Sequence, residues 1–199
     1  MSKIFSIQGS MAVGKTSALK KLKELHPEIN IVFEDNNQIF ELINRRKLDK
    51  DVRNDYLEIQ KLFIENEIRK YNSAKSQNTS IFDFGAEEID FYTLNYPISL
   101  GYDWQVSKNL SNKLESLHKS FPDRILFLSA SKEKLISNKN EDKSRTRNFF
   151  DFYLENLLLL KEEYFKNLDN VDYLDVEDLS IEETAKAIYT WVCNNNNKI

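Results

Sequence analysis

The 199-residue chain carries 28 lysines and arginines against 32 aspartates and glutamates, a net charge of −4. That balance argues against a protein that coats nucleic acid or acidic lipid, and 41% hydrophobic with 30% charged residues fits one globular domain. The single cysteine, Cys193, excludes an internal disulfide, and with only His26 and His118 it provides no Cys/His metal cluster.

In chain order, "MSKIFSIQGS" has no long apolar core and leads into a glycine loop, so it does not read as a signal peptide. The apolar run Ile4–Gln8 predicts a buried strand. Ala18, Leu19, Leu22 and Leu25 then recur at helical spacing. A short strand is expected over Ile31–Phe33, followed by a long helix in "DVRNDYLEIQKLFIENEIRKY", where Val52, Tyr56, Ile59 and Phe63 share a face. The polar stretch 71–80 connects to a third strand at Ser80–Phe84, and a fourth follows at Ile125–Ser129. Beyond a charged segment a helix is expected from near Asn148; its run "LENLLLLKEEYF" is too short and too charged to span a bilayer. A fifth strand is expected at Val171–Val176, then a last helix with Ser180 as N-cap and Glu183 three residues on. Strands alternating with helices predict a three-layer α/β fold, a parallel sheet of about five strands covered on both faces. The expected domain spans 1–193, with 194–199 as a polar tail, and the expected location is cytoplasmic with no membrane partner.

Gly9-Ser10-Met11-Ala12-Val13-Gly14-Lys15-Thr16 fits the phosphate-loop pattern G-x-x-x-x-G-K-S/T without a mismatch. Glycine at both ends lets the backbone wrap so that successive N–H groups face phosphate oxygens, and the following helix, through Ser17, adds its positive N-terminus. Lys15 has the reach for the β- and γ-phosphates of ATP, and the Thr16 hydroxyl suits a Mg²⁺ ion.

Ligands of open α/β sheets bind beyond the carboxyl ends of the strands. Glu34 and Asp35 follow the second strand, where each reads either as a functional carboxylate or as a cap for a helix beginning near Asn36. Asp83 ends the third strand, where a carboxylate would hold Mg²⁺ directly or through water. Residues 138–147, "NKNEDKSRTR", read as a cationic lid whose Lys143, Arg145 and Arg147 close over the transferred group, or as solvated charge.

These features together resemble the P-loop kinases that include deoxynucleoside kinases and thymidylate kinases, over nearly the whole chain. The resemblance implies that Glu34 acts as base toward an acceptor hydroxyl and that Gln60, in "LEIQKLF", reads a base. It implies that the R-x-R of Arg145 and Arg147 is the lid, and that "DVEDLS" borders the adenine of ATP. The chain departs from that family at Asp83-Phe84-Gly85, where an arginine normally follows the acidic residue and helps hold the acceptor. Glu87, Glu88 and Asp90 make the surroundings acidic. The leading expectation is an ATP- and Mg²⁺-dependent phosphotransferase with a small-molecule acceptor, a nucleoside ranked above a nucleoside monophosphate. Another small hydroxyl compound, or a regulatory nucleotide-binding ATPase without an acceptor, remains open. No nucleic acid polymer is expected as a partner, and a homodimer is left open.

Overall fold

The computed structural model describes residues 2–142 and 149–196. Its strands are β1 (Lys3–Gly9), β2 (Asn30–Val32), β3 (Thr79–Phe82), β4 (Arg124–Ser129) and β5 (Val171–Asp175). They form one parallel sheet in the order β2-β3-β1-β4-β5. The three-layer α/β arrangement follows, as the alternation of patterns predicts. β1 is buried along Ile4–Gly9, which requires cover on both faces, while the edge strands β2 and β5 stay partly open. β3 stops at Phe82, short of the expected Phe84, yet the Asp83 amide still donates to Val32 O at 3.0 Å.

Helix α1 (Lys15–Leu25) follows the loop, and α2 (Asn37–Arg46) and α3 (Arg53–Ala74) lie between β2 and β3. Between β3 and β4 come α4 (Ala86–Ser99), α5 (Val106–Asn109) and α6 (Ser111–His118). Helix α7 (Lys132–Glu141) follows β4, and α8 (Phe150–Asn156) and α9 (Leu158–Lys166) precede β5. Helix α8 thus begins two residues beyond the expected Asn148. The last helix, α10 (Ile181–Asn196), carries the expected capping box: the Glu183 amide donates to Ser180 Oγ at 3.2 Å, and the Ser180 amide to Glu183 Oε2 at 2.9 Å. It runs past the boundary drawn at 193. Asn194–Asn196 are helical, and Lys3 Nζ donates to Asn195 O at 2.6 Å, so these residues are part of α10.

Helix α4 departs most from an amphipathic pattern. Ala86 through Phe91 are all buried, and three of those residues, Glu87, Glu88 and Asp90, are acids. A helix buried on all sides belongs in the interior, and its carboxylates then need partners there. Tyr56 of α3 locks the two central helices together by donating to Tyr92 O at 2.9 Å and lies within 3.1 Å of Thr93 O.

One acid in this core is costly. Glu67 on α3 is 1% exposed, and burial pushes its carboxyl up to about 7 despite Lys70 Nζ at 2.9 Å. A carboxyl raised in the folded state favours folding while protonated and opposes it once ionised. Stability should therefore fall as pH rises from about 4.5 to about 7. Glu67→Gln should accordingly gain up to about 3 kcal/mol over the wild type at pH 8 and almost nothing at pH 4.5. Urea unfolding at the two pH values checks this, and an equal gain at both would contradict it.

Candidate functional site

The loop after β1 owes its path to backbone geometry. Gly9 has φ +148°, and a Cβ there would lie 2.5 Å from Leu128 O on the neighbouring strand β4. Only glycine passes that close. Gly14, at φ +97°, caps α1 in a left-handed conformation, and a Cβ there would meet nothing within 4 Å, so its need is conformational alone. Between them Ala12 also takes a positive φ, 68°, and Asn138 Nδ2 of α7 donates to its carbonyl at 3.0 Å. The Val13 amide turns inward to Ser10 O at 3.2 Å. Ser10 is buried beside the Tyr153 hydroxyl of α8. In α1, Ala18 N donates to Gly14 O at 3.0 Å, so the amides of Lys15, Thr16 and Ser17 precede the helical ladder. Gly9, Ser10, Met11, Ala12, Val13, Gly14, Lys15, Thr16 and Ser17 thus lie in one wrap ending at a positive helix terminus, a geometry suited to an anion.

Lys15 Nζ lies 3.4 Å from Glu88 Oε2, and Glu88 Oε1 lies 2.6 Å from Lys161 Nζ of α9. Burial works against the charge on Lys15, but the carboxylates of Glu88, then Asp83 and Glu34, outweigh it and hold its pKa above the ordinary lysine value. Burial likewise opposes ionisation of Glu88, and the ammoniums of Lys15 and Lys161 reverse that, holding its carboxyl below the usual range. Glu34 leaves the end of β2 and faces the same recess. Desolvation raises its pKa, helped by the Glu88 charge, against a smaller pull from Lys15 and a hydrogen bond from Asn36 Nδ2 at 3.0 Å. The Glu34 support continues outward. Asn66 Nδ2 donates to Asn36 Oδ1 at 3.3 Å, and Arg69 Nη2 to Asn66 Oδ1 at 2.6 Å.

Asp83 is 2% exposed at the tip of β3, within electrostatic reach of Lys15 and Glu34. The fold therefore brings Lys15, Glu34 and Asp83 together at the carboxyl end of the sheet. Asp35 is not the N-cap of α2, which is Asn36, but from one residue before it Asp35 Oδ1 accepts from Asn37 N, the first helical amide, at 3.2 Å. Gln60 is 8% exposed on α3 and accepts from Thr93 Oγ1 of α4 at 2.8 Å. Phe84, where the resemblance would put arginine, is half-buried, with its ring centroid 6.0 Å from Lys15 Nζ. Residues 138–141 of the expected lid belong to α7 and are tied to the loop through Asn138, so this part is not an open segment. Lys143, Arg145 and Arg147 lie outside the described residues.

Lys161 went unpredicted because its partner lies 73 residues away. A sequence signal existed: Leu157, Leu158, Lys161 and Phe165 share one apolar face, and a lysine buried on such a face needs a counter-charge. The acids of α4 have separate partners. Glu87 accepts from Gln8 Nε2 at 2.6 Å, and Asp90 accepts from the Tyr164 hydroxyl at 2.7 Å with His118 Nε2 at 2.8 Å. Among the described residues no group of three or more His, Cys, Asp or Glu is arranged to hold a metal ion.

No family model matches the chain, and no curated protein sequence matches it. Solved structures do. Deoxyadenosine kinase from M. mycoides with bound dATP is 18% identical, with 96% of this chain and 99% of that one aligned at a TM-score of 0.71. The same kinase with dCMP and dCDP bound gives 18%, the same coverage and 0.67. Thymidylate kinase from Candida albicans is 17% identical over 98% of this chain and 93% of that one, at 0.66. The fold is thus that of the P-loop nucleoside and nucleotide kinases.

The two loop glycines should separate experimentally. Gly14→Ala meets only conformational strain, about 1–3 kcal/mol. Gly9→Ala adds a collision with the β4 backbone and should cost more. Denaturant unfolding of both variants checks the order, and a more damaging Gly14 substitution would contradict this geometry.

Proposed function

We propose that the protein is an ATP-dependent phosphotransferase whose acceptor is the hydroxyl of a nucleoside-like small molecule. The observation that carries this reading is the wrap of Gly9–Thr16, which ends at Lys15 beside Asp83 and Glu34. The likeness to kinase structures with bound deoxynucleotides supports it at the level of the fold. In this reading the loop amides and Lys15 bind the β- and γ-phosphates of ATP and stabilise the charge that gathers on them during transfer. The Thr16 hydroxyl and the Asp83 carboxylate are hard oxygen donors of the kind Mg²⁺ takes, and with no larger acidic cage among the described residues the phosphates would supply much of its remaining shell. Bound there, Mg²⁺ would neutralise phosphate charge. Glu34 accepts the proton of the acceptor hydroxyl as its oxygen attacks the γ-phosphorus, and ADP leaves. A carboxyl raised above its ordinary value suits that task. Gln60 would contact the acceptor's base, and Arg145 and Arg147 would cover the transferring group.

A hydroxyl ranks above a phosphate as acceptor because Glu34, Asp83 and Glu88 crowd the recess and Phe84 supplies no cation. An ATP-consumption screen over nucleosides, nucleoside monophosphates, sugars and aminoglycosides should give turnover with a nucleoside. Lys15→Ala should weaken MgATP binding or strongly reduce turnover. Glu34→Gln should lower kcat roughly 10²–10⁴-fold with little change in ATP affinity. Unchanged kcat in the Glu34 variant would return that residue to a structural role, and ATP binding indifferent to Lys15 would remove the loop assignment.

A further inference from the structure

Glu88 bridges two lysines, the buried Lys161 and the partly exposed Lys15, whose ammonium also lies in the field of Asp83 and Glu34. Glu88 is 3% and Lys161 1% exposed. The Lys161 ammonium is enclosed by aromatic rings, with centroids at 5.9 Å (Phe91), 5.7 Å (Tyr92) and 5.9 Å (Phe165). Water has little part in balancing the Glu88 and Lys161 charges, so these two must balance each other. The balance is unequal. Glu88 is 2.6 Å from Lys161 and 3.4 Å from Lys15, so the fully buried lysine has the shorter contact and the loop lysine the longer.

The asymmetry matters for nucleotide binding. A triphosphate in the loop requires Lys15 to turn toward its oxygens, away from Glu88. If Lys15 were the sole partner of Glu88, that movement would abandon a buried carboxylate, an expensive outcome. With Lys161 in place, the withdrawal leaves a paired, neutral Glu88–Lys161 couple. The Lys15 ammonium is then what the phosphates receive.

We propose that Glu88 and Lys161 are a positioning pair for the phosphate-loop lysine: Glu88 holds Lys15 in the empty site, and Lys161 keeps that hold weak enough for nucleotide to break. Neither residue is assigned contact with substrate. The inference rests on the nucleotide-binding reading of the loop and is separable from it. It names Lys161, which the phosphate-loop pattern does not contain, as a determinant of nucleotide affinity.

The test is a double-mutant cycle read by titration calorimetry with Mg²⁺ and a non-hydrolysable ATP analogue, with thermal unfolding of each variant alongside. Lys161→Met keeps the bulk and removes the charge, leaving Lys15 as the only cation on Glu88 among the described residues, and should weaken analogue binding at least tenfold. Glu88→Gln alone releases Lys15 and should bind the analogue at least as tightly as the wild type, even though the buried Lys161 loses its counter-ion and the melting temperature falls. Combining the two should restore affinity to within about threefold of the wild type. Rescue of a weakened variant by a second core substitution is not what general damage produces. Additive losses in the double variant, or wild-type affinity in Lys161→Met, would overturn the proposal. Should Lys161→Met fail to fold, Glu88→Gln decides alone, since weaker binding in that variant contradicts a restraining role. A wild-type protein that does not bind the analogue at all would instead overturn the loop reading beneath it.

Discussion

The site is organised around a carboxylate that cannot reach water. Glu88 sits in the first turn of α4 at 3% exposure, and an ionised group there survives only by charge pairing. Its two partners come from distant segments, Lys15 from the start of α1 and Lys161 from the middle of α9. The pairing therefore fixes the relative placement of three helices and, with them, the phosphate loop. The N-terminal turn of α4 also favours negative charge. The other acids of α4 have their own partners: Glu87 accepts from Gln8 on β1, and Asp90, beyond that turn, accepts from Tyr164 on α9 with His118 on α6 beside it. One acid-bearing helix ties the central strand to the helices on its side of the sheet.

This arrangement explains which parts of the molecule were legible in the sequence. The phosphate loop was readable because its constraint is local: close backbone approach at Gly9 and a left-handed cap at Gly14 each leave a glycine at a fixed spacing. The Ser180–Glu183 capping box was readable for the same reason. The five strands were found as apolar runs, and the errors fell at their ends, where Asp83 continues the pairing of β2 and β3 through one amide after the regular strand has stopped. Helix α4 was not readable, because an element buried on every side has no apolar stripe to give a period, and its acids suggest an exposed face. Lys161 was hidden by distance along the chain. Of the candidate site, Lys15, Glu34 and Asp83 converge, because strand ends converge in any parallel sheet. Gln60 is held against α4 by a hydroxyl that no sequence spacing pointed to.

The network behind Glu34 follows from its position at an edge strand. Among the described residues β2 has no neighbour beyond it, and side chains support the segment that carries Glu34. Asn36, Asn66 and Arg69 supply that support in a chain of donors, each pointing toward the carboxylate. The outer end of the chain opens on a groove of about 590 Å³ beside β2, lined by Asn66, Arg69, Phe33 and Gln38 among others. A carboxylate fixed by one amide, itself fixed by a second, keeps a defined orientation even though solvent reaches it. Orientation is what a general base needs before its pKa matters.

In the proposed function, the two ends of the cleft differ in electrical character, and the difference bears on the acceptor. At the loop, the N-terminus of α1 and Lys15 attract negative charge. Across the recess, Glu34 presents a carboxylate, and Phe84 presents a ring in place of a guanidinium. A triphosphate is drawn to the first end and repelled from the second, so charge alone orients the donor. An acceptor entering from the second end meets hydrogen-bonding groups and an aromatic face. Thr93 donates to Gln60 Oε1, which leaves the NH₂ side of that amide as the part to offer a ligand. A neutral acceptor with a planar, hydrogen-bonding ring and a free hydroxyl matches those surroundings. A second phosphate would have to be held beside the Glu34 carboxylate, with no cation supplied at Phe84.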